Sequence, residues 1–85
     1  MMVKNPVGKV VHYYDKIGVS VVELNEDLSI GEKIRVLAYM GEFVQEVNSM
    51  RVLDKDVCLA RKGLKVTIKM DNKVKKDDLV LREEG

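Results

Sequence analysis

Leu64-Lys-Val-Thr-Ile-Lys-Met70 carries the cleanest strand signal in the chain. Leu64, Val66, Ile68 and Met70 alternate with Lys65, Thr67 and Lys69, so an extended backbone gives one dry face and one wet face. The same rhythm recurs outward from it. In residues 33–40, Ile34, Val36, Ala38 and Met40 oppose Lys33, Arg35, Leu37 and Tyr39. Residues 19–24 form another β-rich run. A first strand begins at Lys9, with Val10, His12 and Tyr14 against Val11, Tyr13 and Asp15. Lys16-Ile-Gly18, Asn25-Glu-Asp27, Gly41-Glu42 and Asp71-Asn-Lys73 are turns by composition. Val74, Leu79 and Leu81 supply the last strand, and Arg82-Glu-Glu-Gly85 reads as a solvated tail.

Residues 43–57 read two ways. Phe43, Val47, Met50, Leu53 and Val57 fit one face of an amphipathic helix. A strand reading puts Gln45 and Ser49 on the face of Phe43 and Val47, which spoils the alternation. The neighbourhood is rich in Val and Ile and punctuated at short intervals, which favours strands. Six or seven short strands without a βαβ rhythm imply an all-β domain, a small closed six- to seven-stranded Greek-key barrel.

The chain of 85 residues is long enough for one domain, 1–85, with a core over about residues 7–82. A hydrophobic content of 46% beside 34% charged residues is that of a folded chain rather than a disordered one. The one cysteine, Cys58, lies in Val57-Cys-Leu-Ala60, which predicts a buried thiol and a reducing, cytoplasmic compartment. No run approaches the ~18 apolar residues of a membrane span. The opening Met-Met-Val-Lys-Asn-Pro6 lacks the apolar centre of a secretion signal.

Catalytic and cofactor signatures are missing. There is no Gly-x-x-x-x-Gly-Lys-Ser/Thr loop for nucleotide phosphates and no Gly-x-Gly-x-x-Gly. One His and one Cys, far apart, do not make a metal site by spacing. His12 and Cys58 would form a base and nucleophile only if folding joined them. The acidic pairs Glu26-Asp27, Asp54/Asp56 and Asp77-Asp78 sit in turns, where capping explains them. No enzymatic activity, cofactor or metal is therefore expected. Charge is the one uneven property. Net charge is +1, yet residues 61–76 hold seven basic groups and one acidic group. Lys65, Thr67 and Lys69 share one side of a strand, and Lys62 and Lys73 to Lys76 flank it, so the charges either merge into a phosphate-attracting face or simply keep a wet sheet face soluble and block edge pairing. The three tyrosines, Tyr13, Tyr14 and Tyr39, can stack on bases.

Several phrases also occur in order: Gly8-Lys-Val10, Leu28-Ser-Ile-Gly-Glu-Lys-Ile-Arg-Val36, Val47-Asn-Ser-Met50 and Ala60-Arg-Lys-Gly63. On these the chain resembles the second domain of elongation factor Tu-type translational GTPases and small stand-alone elongation-factor-like proteins. A similar barrel is appended to some U32-type peptidases. The resemblance implies a β-barrel that meets transfer RNA or ribosomal RNA, without GTP. It makes Arg51 the counterpart of an arginine that contacts transfer RNA. Asn48 and Lys65 depart from the residues such a site carries.

Two functions are expected from these readings. One is a non-enzymatic RNA- or ribosome-associated barrel with Arg51, Arg61, Lys62, Lys65 and Lys69 on its nucleic-acid face. The other is a protein-interaction module that docks a larger partner through an apolar patch around Leu37, Tyr39 and Val44.

Overall fold

The computed structural model describes residues 5–83. Ten strands run in chain order: β1 Gly8–Tyr14, β2 Val19–Leu24, β3 Leu28–Ser29, β4 Lys33–Ala38, β5 Gly41–Glu46, β6 Met50–Val52, β7 Lys55–Asp56, β8 Leu59–Ala60, β9 Lys65–Lys69 and β10 Leu79–Arg82. The described residues contain no helix. Eight strands form one antiparallel sheet in the order β5-β4-β10-β1-β2-β9-β6-β7, and β3 pairs with β8 in a separate two-stranded piece.

The domain is all-β, as the alternation predicts, but the main sheet is an open, curled half-barrel. The expected closed six- to seven-stranded barrel is not formed, because β5 and β7 remain edges. What spans the seam on the β5 side is a side chain. Gln45, buried on β5, donates from Nε2 to the carbonyl of Lys69 at 2.8 Å. Its Oε1 accepts the backbone N–H of Asp71 at 2.8 Å. One amide thereby satisfies two backbone groups at the end of β9 that no strand reaches.

The core follows the period-2 pattern. Val22 and Leu24 on β2, Ile34 and Val36 on β4, Val66 and Ile68 on β9, and Val80 on β10 are buried together with Val7, Val10, Leu28, Val47 and Met50. Each such side chain contributes roughly 1.5–3 kcal/mol relative to exposure. Ser20 is also buried, and its hydroxyl donates to the carbonyl of Ile68 at 3.4 Å. At Gly8 a Cβ would stand 2.7 Å from both the carbonyl oxygen of Glu23 and Cγ1 of Val22, so only glycine lets β1 approach β2 there.

Several local expectations change. The register of β1 against β2 shifts between Val10 and His12, a bulge at Val11. An extra residue reverses the faces beyond it. His12 and Tyr14 are consequently exposed, whereas Tyr13 packs on the core. Ala38 pairs with Gly41, so Tyr39-Met40 is the hairpin loop rather than Gly41-Glu42, and Met40 points to solvent instead of continuing the buried face.

The helical spacing in residues 43–57 is coincidental, since Leu53 is 90% exposed at a hairpin tip. Val74 is buried but lies outside any strand, and Val80, not Leu79 or Leu81, is the core residue of β10. Cys58 is exposed rather than buried; it precedes β8 in a bend, where only its backbone carbonyl is engaged, accepting the N–H of Ile30 at 2.9 Å.

The expected tail is structured as far as the described residues go, and Glu84 and Gly85 lie beyond them. Arg82 ends β10 and binds Glu32, the carbonyl of Asp27 at 2.8 Å and Glu26 Oε1 at 3.4 Å. Glu83 receives Arg35 Nε at 2.9 Å and Nη2 at 3.0 Å. Those bonds, then the one from Arg35 to Glu42, push the Arg35 guanidinium above its ordinary value and keep it charged.

Candidate functional site

The register defines which side chains share the outer face of the sheet. Tyr14 pairs with Val19 and Val19 with Lys69, giving one row. The next row runs His12, Val21, Thr67, Arg51 and Asp56. A third carries Lys9, Glu23 and Lys65. Between the β1–β2 hairpin and the β6–β7 hairpin these rows form a groove of about 470 Å³. Val19, Val21 and Thr67, all half-buried, are its floor. Tyr14 and Ile17 form one wall, and Arg51 and Asp54 the other, with Ser49 and Lys69 also lining it.

Local chain chemistry builds both walls. Gly18, at φ 68°, turns β1 into β2, and its N–H donates to the carbonyl of Tyr14 at 2.9 Å. Val52 pairs with Lys55, so Leu53-Asp54 is a two-residue loop with φ of 52° and 66°. Positive φ at both central positions is the signature of a type I′ turn, usually supplied by Asn-Gly. A leucine there is strained.

The five expected cations do not form one face. Arg51 lies in the groove wall, with Nε 3.0 Å from Asp56 Oδ1. Lys69 is also at the groove, and Lys65 is on the same outer face but four residues along β9, about 13 Å away by strand rise. Arg61 and Lys62 lie elsewhere, beside Asp27. Arg61 Nη1 is 3.8 Å from Asp27 Oδ2, and the Lys62 N–H donates to Asp27 Oδ1 at 2.8 Å. Lys75 sits 5.0 Å from the centroid of Tyr39, engaging one of the expected stacking rings.

The remaining candidates lie apart from one another. His12 packs edge-on to Tyr14 at 4.3 Å between ring centroids. Cys58 lies beside the separate β3–β8 pair, so the two do not share a sheet face. Asp78 is buried and caps, its Oδ2 accepting the N–H of Lys75 at 2.9 Å and of Tyr39 at 3.3 Å. No group of three or more His, Cys, Asp or Glu side chains suited to a metal occurs among the described residues. With no helix among them, the described residues hold none long and apolar enough to cross a membrane. Of the expected apolar patch, Tyr39 and Val44 are exposed, while Leu37 is half-buried beside Leu79.

The groove residues missed in the sequence are Ile17, Val19, Val21, Ser49 and Asp54. Two of them, Val19 and Val21, looked like ordinary strand residues, because their company depends on which strands become neighbours.

No protein-family model matches the chain. In sequence it is 38% identical over 78 residues, 91% of its length, to an uncharacterized protease of Methanocaldococcus jannaschii. The chain spans only 19% of the length of that relative. In structure it is similar to the C-terminal domain of a candidate U32 peptidase of Geobacillus thermoleovorans, with TM-score 0.89 and 17% identity over 98% of this chain and all of the other. The selenomethionine variant of the same domain superposes with TM-score 0.85 over 94% of this chain. The expected kinship with elongation factor Tu-type barrels is thereby corrected. The phrases that suggested it are short turn-and-strand segments, and the likeness over nearly the whole chain is to a peptidase-associated domain.

Proposed function

We propose that this chain is a non-catalytic binding module that acts by docking on a larger protein, as an accessory to a U32-type peptidase body. The observation that carries the reading is the half-apolar groove on the outer face of the sheet. Its floor of Val19, Val21 and Thr67 and its wall of Tyr14 and Ile17 offer burial without a catalytic constellation. The likeness to a segment of a protease about five times as long supports the accessory role. Gel filtration with a U32-type peptidase lacking the corresponding segment tests it. Co-elution that persists at high salt is expected, and separate elution at micromolar concentrations would sink the reading.

A second reading, contact with transfer or ribosomal RNA, is favoured by one observation: Lys65, Thr67, Lys69 and Arg51 share the outer face. It predicts anisotropy-detected binding that falls steeply as salt rises. Saturable binding of RNA unaffected by salt, or none, counts against it.

A further inference from the structure

We propose that the groove between the β1–β2 and β6–β7 hairpins holds an extended peptide segment in which apolar residues alternate with carboxylates. The inference rests on the docking reading and names the chemistry of what docks.

Charge and polarity are arranged across the groove in a way that selects this occupant. On the side of β1 and β2, Tyr14, Ile17, Val19 and Val21 present apolar surface, with Ile17 61% and Tyr14 49% exposed. On the side of β9 and β6, Lys69 and Arg51 present donors. The Lys69 ammonium has no ion-pair partner among the described residues. Arg51 uses Nε on Asp56, which orients the guanidinium and leaves its two terminal nitrogens for an acceptor in the groove.

An extended chain places successive side chains on opposite sides at a period of two. Alternate residues of such a peptide therefore meet the apolar wall and the cationic wall in turn. A nucleic acid fits less well, because the floor is formed by the branched side chains of Val19, Val21 and Thr67 rather than by flat rings on which bases stack.

The scaffold holds these donors in place. The carbonyl of Lys69 is fixed by Gln45, and that of Ile68 by Ser20. Thr67 pairs directly with both Val21 and Arg51. Beyond the groove lining, at the tip of the β6–β7 hairpin next to Asp54, stands Leu53, the most exposed large apolar residue described, held at positive φ. Strained backbone clusters at ligand clamps and other functional sites. The tip leucine fits that role as a clamp on one apolar side chain of the peptide.

The test uses a fluorescein-labelled hexapeptide alternating valine and glutamate, its valine–lysine counterpart, and a labelled single-stranded hexauridylate. Anisotropy and amide-shift titrations follow each. Expected are saturable binding of the valine–glutamate peptide alone and shifts at Val19, Val21, Ser49, Thr67 and Lys69. Lys69→Gln and Arg51→Gln should each weaken binding about tenfold, while Lys62→Gln, outside the groove, leaves it unchanged. Unchanged amide spectra away from the substitution verify folding. Equal binding of both peptides, no binding, or tighter binding of the hexauridylate overturns the proposal. If the peptide fails while co-elution with the peptidase body persists, the groove assignment falls and the docking reading stands. If co-elution also fails, both fall.

Discussion

The two edges of the main sheet are treated differently. On the β5 side, Gln45 crosses the seam and binds Lys69 and Asp71 from within the core. On the β7 side, the sheet ends in a two-residue strand, Lys55–Asp56, both residues exposed, behind a hairpin with two non-glycine residues at positive φ. A buried amide with both ends satisfied ties one edge down. Charged residues and shortness protect the other edge from pairing, while its hairpin projects a strained apolar tip. The contrast separates what holds the fold from what is free to bind.

The interior shared by both edges sets the largest expected effect. Ile68 is fully buried on β9, between β2 and β6, and Ile68→Ala should cost about 3–4 kcal/mol in chemical denaturation. The seam comes next. Gln45→Ala strands the carbonyl of Lys69 and the N–H of Asp71, and a loss of about 2–3 kcal/mol is expected. A loss below the measurement error would mean water replaces the amide and the seam is not a tie.

The β7 edge should respond with the opposite sign. Leu53→Asn suits left-handed φ and should raise stability by about 0.5–1 kcal/mol in thermal melts. The same variant should weaken binding of the valine–glutamate peptide. A leucine that proves neutral in both measurements would erase the functional meaning of the strained tip. Smallest of all, Lys69→Gln should leave stability within about 0.5 kcal/mol, since its side chain is exposed and unpaired among the described residues. A large loss there would move Lys69 from the binding surface to the framework.

Much of the strand content was legible because burial on one face imposes a period of two. Val66, Ile68 and Met70 follow it, although Leu64, expected on the same dry face, lies before β9 and is exposed; in residues 19–24 the buried face holds Ser20 beside Val22 and Leu24. The reading failed where a local irregularity shifted that period. One inserted residue at Val11 exchanged the faces of His12, Tyr13 and Tyr14. The Ala38–Gly41 pairing moved the hairpin by two residues and sent Met40 outward. Gln45 counted against a strand in residues 43–57 because it fell on the apolar face, yet that position is what lets it reach β9. Legibility was lower for the site. Lys65, Thr67 and Lys69 were correctly placed on one side, and Arg51 joined them through β6–β9 pairing, but Arg61 and Lys62 were drawn to Asp27 instead.

Alternation alone makes the β character legible, and with it the buried residues of β4 and β9, because an extended backbone couples each side chain to a face. The sequence also shows where charge concentrates along the chain. Strand order, by contrast, leaves the sheet open, sets a glutamine across its seam, and brings Val19, Val21, Thr67, Arg51 and Lys69 to one groove. Strand order is a non-local property, and it brings together residues up to about fifty positions apart that no local pattern connects.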